Sequence, residues 1–237
     1  MRGVSFATRS DECLGLVGES GSGKSTLARV LLGLQSPTTG RVVFDGTELT
    51  SLGPRAWRPF RRRLQLVFQD PMRALNPHRT IGELLQEPLR LHFPDWSRER
   101  KVARMTELLA QVGLAQVSLD RRPGALSGGQ RQRLCIARAL AVEPEYLVLD
   151  EPVSALDVSV QAQILNLLLD LRDALGVGWL FIGHDLAVIE QVCSRVLVMR
   201  HGKVVEEGPV DTVFAQPVHP YTQRLLAAAR ASSAMPT

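Results

Sequence analysis

Gly18-Glu19-Ser20-Gly21-Ser22-Gly23-Lys24-Ser25, with Thr26 next in line, is the stretch from which the fold can be read. It has the spacing GxxxxGK[ST]. The apolar run Cys13 to Val17 leads into it, and Lys24 to Leu32 leaves it with helical periodicity, so the local order is strand, glycine-rich turn, helix. The glycines let successive backbone N–H groups turn inward around a polyphosphate, and the helix presents its positive dipole end. Gly18, Ser20, Gly21, Ser22 and Gly23 are the expected cradle, and Lys24 the residue that reaches the β and γ phosphates. Ser25 offers a hydroxyl to Mg²⁺ and Thr26 one to the α phosphate. The expected ligand is a nucleoside triphosphate.

Tyr146-Leu147-Val148-Leu149-Asp150-Glu151 reads as the second half of such a site. A short apolar strand delivers Asp150 to hold Mg²⁺ through water, which leaves Glu151 as the base that orients and polarises an attacking water. Trp179 to Ile182 is another buried strand, ending in Gly183-His184-Asp185. Between the two, Ser159 to Leu175 carries a helical stripe of Val160, Ile164, Leu167, Leu168 and Leu171, with Ser159 as the expected cap. Sites in open α/β sheets form beyond the carboxyl ends of strands, so the polar residues ending these three strands are expected to converge.

Arg41 to Phe44 and Leu64 to Phe68 are further strand candidates, with Asp45-Gly46 as a hairpin turn, which suggests a small β-rich lobe. From Ile81 to about Val112 the pattern is helical, broken at Phe93-Pro94-Asp95, and a third helical stretch begins after Gly128. These read as an inserted helical lobe.

A chain of 237 residues, 45% hydrophobic and 22% charged, is long enough for a substantial core and ordinary for a globular protein. Disordered and collagen-like classes drop out. The longest apolar runs, such as Ile164 to Leu169, are too short to cross a bilayer, and Met1 to Phe6 lacks the features of a secretory signal, so a cytosolic location is expected. Cys13, Cys135 and Cys193 are scattered without a CxxC spacing, which predicts buried free thiols and neither a disulfide framework nor a zinc site. The net charge of +4 permits contact with nucleic acid or anionic lipid without demanding it. The densest basic cluster, Arg55, Arg58, Arg61, Arg62 and Arg63 around Trp57 and Phe60, could serve nucleic acid, but a solvated face is the simpler reading.

Leu126-Ser127-Gly128-Gly129-Gln130, followed by Arg131-Gln132-Arg133, is a narrower signal. Ser127 and the two glycines open a helix and offer a hydroxyl, backbone donors and a dipole end to an anion. With this LSGGQ signature the chain resembles the ABC ATPases. In that family the anion is ATP on a partner subunit, so the resemblance implies a head-to-tail dimer, homomeric or heteromeric. Each nucleotide then lies between one phosphate loop and the other chain's Ser127, Gly128, Gly129 and Gln130. The resemblance further places Gln69, in Val67-Phe68-Gln69-Asp70-Pro71, as the glutamine that senses Mg²⁺ and the attacking water. Asp157, in Ser154-Ala155-Leu156-Asp157, matches the aspartate that couples the two sites, and His184 the switch histidine near the γ phosphate.

The resemblance narrows at Pro71-Met72-Arg73-Ala74-Leu75-Asn76-Pro77 and at His219-Pro220-Tyr221-Thr222-Gln223-Arg224-Leu225-Leu226, which look like the branch that imports oligopeptides, dipeptides or nickel. It implies an α/β fold, a P-loop NTPase cassette with a β-rich side lobe and an inserted helical lobe, in one domain over 1–237. The core is expected at about 1–75 and 140–215, the helical lobe at about 76–139 and a tail at about 216–237. ATP and Mg²⁺ are the implied cofactors, with catalysis by Glu151, His184 and Gln69, and metal contacts by Ser25, Gln69 and Asp150. Implied partners are a second ATPase subunit, two transmembrane permease subunits and an extracytoplasmic solute-binding protein, at the cytoplasmic face of the membrane. A permease helix is expected near Gln69 and the segment after Pro71. No nucleic acid is expected, because neither a coiled-coil insertion nor a second cassette accompanies the signature. Without tail cysteines, no iron-sulfur cluster is expected either.

Two departures stand out. Cassettes usually carry an additional strand before the phosphate loop, with an aromatic residue that stacks on adenine. Here Phe6 is the only aromatic before the loop and resembles a core strand residue instead. Either the start lies too late or the site binds ATP without that platform, for which weaker nucleotide affinity is expected. Gly183 stands where relatives often carry Ser or Thr, with little consequence expected. The alternative function is a degenerate cassette that binds nucleotide or holds a complex together without hydrolysis, a reading that the presence of Glu151 and His184 weakens.

Overall fold

A computed structural model describes residues 1 and 3–233, with the side chains of 232 and 233 left aside. In chain order the elements are β1 (Cys13–Val17), α1 (Lys24–Leu31), β2 (Val43–Phe44), β3 (Thr47–Glu48), α2 (Arg58–Arg63), β4 (Leu64–Val67), α3 (Pro71–Ala74), α4 (Ile81–His92) and α5 (Arg98–Gln111). Then follow α6 (Gly128–Leu140), β5 (Tyr146–Asp150), α7 (Val158–Leu175), β6 (Gly178–Ile182), α8 (Leu186–Val192), β7 (Arg195–Arg200), β8 (Lys203–Pro209), α9 (Val210–Ala215) and α10 (Pro220–Ser233). The chain forms two compact units: unit one is Met1–Arg58 with Gly178–Thr237, and unit two is Pro59–Val177. The last four residues of the tail expected from sequence, 234–237, lie outside the described residues.

Unit one is built on β1, whose five residues are all buried. Such a run suits a strand covered on both faces. It pairs in parallel with β6, Cys13 opposite Trp179 and Leu16 opposite Ile182, and with β7, Leu14 opposite Arg195 and Val17 opposite Val198. β8 returns antiparallel to β7, with an irregularity between Val198 and Met199. The turn between them is His201-Gly202, with φ of 48° and 76°, and Arg200 faces Lys203 across it. Positive φ at both central residues matches the type I′ geometry that tight hairpins favour. The expected turn Asp45-Gly46 has the same form, φ 49° and 73°, and joins β2 to β3. The strand expected at Arg41 to Phe44 is reduced to Val43–Phe44. Phe6 is half-buried and lies in no strand, contrary to the expectation of a core strand residue.

In unit two, β4 pairs in parallel with β5, Leu64 opposite Tyr146 and Val67 opposite Leu149. The strand grouped from sequence with the β-rich segment thus finds its partner about eighty residues later, where two apolar runs can share a ladder. The helices of this unit bury Ile81, Leu84, Leu85 and Leu89 from α4, Met105, Leu108 and Leu109 from α5, and Leu134 and Ile136 from α6. Thr80 and Glu83 close a capping box at the start of α4, and Ser97 caps α5, which is why the pattern breaks between them. The basic cluster is partly consumed internally. Arg63 pairs with Glu145 at 2.6 Å, Arg62 donates to the Val142 carbonyl at 3.1 Å and lies 4.4 Å from the Phe93 ring centroid, and Trp57 is buried.

The three cysteines are buried and in no disulfide, and burial pushes the Cys135 thiol up to about 12.

Candidate active site

β1 delivers the chain into the glycine-rich loop at Gly18, where φ is 149° and an added Cβ would run into the Met199 carbonyl oxygen. Only glycine can make that approach. The loop then folds on itself. The Ser22 N–H donates to the Glu19 carbonyl at 3.1 Å, and the Gly202 N–H donates to the Ser22 carbonyl at 2.8 Å. Gly23, at φ 109°, opens α1 without a side-chain cap. A helix start with no side chain over it can receive an anion from outside.

Lys24 is buried, and its Nζ donates to the carbonyls of Gly18 at 2.7 Å and Glu19 at 3.1 Å. The positive charge therefore sits inside the loop. Ser22 Oγ is buried without a hydrogen-bond partner, an atom placed for a group not supplied by the chain. Ser25 and Thr26 are half-buried on the first turn of α1, and Ser20 and Gly21 are exposed at the loop's tip. Also in unit one, β6 leads into Gly183 and His184, with His184 exposed. Asp185 caps α8 by accepting from Ala187 N–H at 3.0 Å and Val188 N–H at 3.4 Å. A Cβ on Gly183 would meet the Phe181 ring at 3.5 Å, an ordinary contact, so the side chain expected there in relatives has room.

Unit two carries the carboxylates expected from sequence. Asp150 ends β5 half-buried, and Glu151 follows it with φ 48°, in the left-handed region that side chains rarely occupy. Gln69 Nε2 donates to Glu151 Oε2 at 2.9 Å and lies 3.5 Å from Ser154 Oγ, which in turn donates to the Glu151 carbonyl at 3.2 Å. The structure thus brings Gln69 and Glu151 together and adds Ser154, the first residue of Ser154-Ala155-Leu156-Asp157, to which the sequence assigns no role of its own.

Ser127 and Gln130 form a reciprocal capping box at the start of α6, Ser127 Oγ accepting from Gln130 N–H at 3.2 Å and Gln130 Oε1 from Ser127 N–H at 3.0 Å. Ser127 itself remains exposed. A Cβ on Gly129 would come within 2.5 Å of Val160 Cγ1, and one on Gly128 within 3.5 Å of Leu156. The signature therefore packs against the start of α7 in its own chain. That helix is capped by Asp157, not Ser159 as expected: Asp157 Oδ1 accepts from Val160 N–H at 2.9 Å and from the Ser159 hydroxyl at 3.0 Å. Asp157 has the extended backbone of a cap, φ −67° and ψ 158°, and a carboxylate is the stronger acceptor. Those bonds, the Val160 amide first, hold its carboxyl below the ordinary value.

The Ser25 hydroxyl in unit one and the Asp150 carboxylate in unit two are each, taken singly, the type of oxygen donor that a hard divalent cation such as Mg²⁺ takes. Among the described residues no group of three or more His, Cys, Asp or Glu could form a metal cage. No helix among them is long and apolar enough to cross a membrane.

Comparison with known proteins gives a consistent answer. A sequence model of the ABC transporter family matches residues 1–154. The chain is 53% identical over 226 residues to the probable peptide ABC transporter ATP-binding protein y4tS of Sinorhizobium fredii, covering 95% of this chain and 64% of the relative. It is 48% identical to the oligopeptide transport ATP-binding protein OppF of Escherichia coli, covering 95% of this chain and 68% of that protein. It thus spans about two thirds of the curated relatives' length. Among solved structures, the ATP-binding cassette MJ0796, a dimer in a post-hydrolysis state with ADP and Pi, superposes with TM-score 0.78 at 31% identity, covering 87% of this chain and 89% of that one. The cbiO1 protein of Clostridium perfringens, part of the ABC transporter complex cbiONQ, superposes with TM-score 0.82 at 26% identity, covering 98% and 91%.

Proposed function

This chain belongs to the ABC transporter family, and on that premise we propose that it binds and hydrolyses ATP to drive the import of oligopeptides or dipeptides. The Glu151 carboxylate, delivered by β5 next to Asp150 and held by Gln69 at 2.9 Å, is the observation that carries hydrolysis. Lys24 and the start of α1 receive the β and γ phosphates, with Gly18, Ser20, Gly21, Ser22 and Gly23 around them and Thr26 at the α phosphate. Ser25, Asp150 and Gln69 would hold Mg²⁺, which would supply neutralisation of the charge that builds on the transferred phosphate. Glu151 orients the attacking water and accepts its proton, and His184 holds the γ phosphate in line.

Ser127, Gly128, Gly129 and Gln130 meet the ATP of a second cassette, and Asp157 couples the two sites. Two ATP molecules close this head-to-tail dimer and hydrolysis reopens it, a population shift set by contacts made only when both faces grip γ phosphate. Two permease subunits and an extracytoplasmic solute-binding protein complete the transporter, with the cassette at the cytoplasmic face. The exposed side chains of Phe68 and Met72, beside Gln69, favour permease docking there. Peptide ranks above nickel because the relatives reported above are named for peptide and oligopeptide transport.

The test is ATP turnover by the chain with its partner subunits, beside the Glu151→Gln variant, with dimerisation followed in both. Hydrolysis by the wild type, with a variant that binds ATP and accumulates as dimer, is the expected result. A wild type that neither binds nor turns over ATP would overturn the reading.

A further inference from the structure

We propose that Tyr221 is a positioning residue for the phosphate loop, its hydroxyl fixing the Glu19 peptide and thereby raising the chain's affinity for nucleotide. The inference rests on the phosphate loop being the nucleotide site.

The phenol oxygen accepts the Glu19 N–H at 2.9 Å. Glu19 is the loop residue whose carbonyl accepts both the Lys24 ammonium at 3.1 Å and the Ser22 N–H at 3.1 Å. The Glu19 N–H shares its peptide group with the Gly18 carbonyl, which accepts the Lys24 ammonium at 2.7 Å, so this one peptide is held on its N–H side by Tyr221 while its C=O side holds the lysine. If the Gly18–Glu19 peptide rotates, both bonds are lost together and the buried phenol is left without the partner that such a hydroxyl needs.

Tyr221 is itself rigidly mounted. Its residue is 2% exposed, and the Arg200 guanidinium lies 4.9 Å from the ring centroid. Arg200 ends β7, next to the turn whose Gly202 N–H grips the Ser22 carbonyl. The Tyr221 N–H donates to His219 Nδ1 at 3.1 Å. Glu206 on β8 receives the Val218 and His219 N–H groups at 2.8 Å and 3.0 Å. The loop is thus restrained from two directions within unit one, by the β7–β8 turn and by the start of α10. A loop held in one conformation before ligand arrives loses less entropy on binding.

Tyr221→Phe removes the hydroxyl and keeps the ring under Arg200. The measurements are equilibrium binding of Mg-ATP and Mg-ADP, steady-state ATP hydrolysis with the partner subunits present, amide exchange at Glu19, and the melting temperature without nucleotide. The proposal expects Kd and KM to rise together by about tenfold, the change equivalent to 1.4 kcal/mol, with kcat at saturation unchanged. It also expects faster exchange at Glu19 and an unchanged melting temperature. Wild-type affinity in Tyr221→Phe, or a loss of affinity that merely follows a lowered melting temperature, overturns the positioning role alone. A wild type that binds no nucleotide, and so behaves like its Lys24→Ala variant, overturns the nucleotide-site reading and this inference with it.

Discussion

The amide of Gln69 donates to the carboxylate of Glu151 at 2.9 Å, joining two residues 82 positions apart. A hydrogen bond to a charged group is worth about 1.5–3 kcal/mol, so Gln69→Ala should lower kcat about 10- to 100-fold while leaving the Kd for ATP nearly unchanged. Single-turnover hydrolysis beside equilibrium binding separates the two. Weakened binding with intact turnover would assign Gln69 to nucleotide capture instead of to orienting the base.

Glu151 adopts φ 48°, a conformation that costs a side-chain-bearing residue roughly 1–2 kcal/mol. Glu151→Gly should consequently be more stable than Glu151→Ala by about 1 kcal/mol, although both lose hydrolysis. Urea unfolding of the two variants reads the difference directly. Equal midpoints would mean the backbone relaxes out of the left-handed region once the carboxylate is gone.

A methyl group on Gly129 has no room beside Val160, whose Cγ1 would stand 2.5 Å away. Gly129→Ala should destabilise the protein by about 1–3 kcal/mol, the usual range for overpacking, and Val160→Ala should restore much of that loss. A double-mutant cycle in denaturant tests the coupling. Purely additive effects would exclude a direct steric contact as the cause.

Burial alone would raise the Glu206 carboxyl, but the hydrogen bonds it accepts from the Val218 and His219 amides, at 2.8 Å and 3.0 Å, hold it below its ordinary 4.5. A carboxyl depressed on folding adds stability above its unfolded pKa and loses it as pH falls through the lower folded value. Acidification below 4.5 should therefore release the segment 217–222, and Glu206→Gln should flatten that part of the profile. Amide exchange at Val218 and His219 across the acid range provides the measurement. A profile unchanged by Glu206→Gln would sink the assignment.

What could be read in the sequence was what short-range chemistry decides. Gly18 to Ser25 forms its loop between β1 and α1 as expected, and the Ser127–Gln130 box closes over three residues. The cap of α7 was misplaced by two positions because Asp157 and Ser159 are both competent acceptors and only the backbone angles choose between them. Long-range partners were illegible. Nothing near Leu64 announces Tyr146 as its ladder partner, and nothing near Glu19 announces Tyr221, 202 residues away. Such pairings are set by the packing of whole elements, which periodicity does not encode.

Gly15, in the middle of β1, has no side chain to hold α8 away: a Cβ there would stand 2.8 Å from Ile189 Cγ2 and 3.4 Å from Cys193 Sγ. The helix that starts just after His184 is therefore bedded directly on strand backbone. For anyone building chimeras between cassettes, β1 and α8 form a single exchangeable block. A donor strand with alanine at position 15 would have to bring its own helix, or lift the recipient's off the sheet and tilt the histidine loop with it.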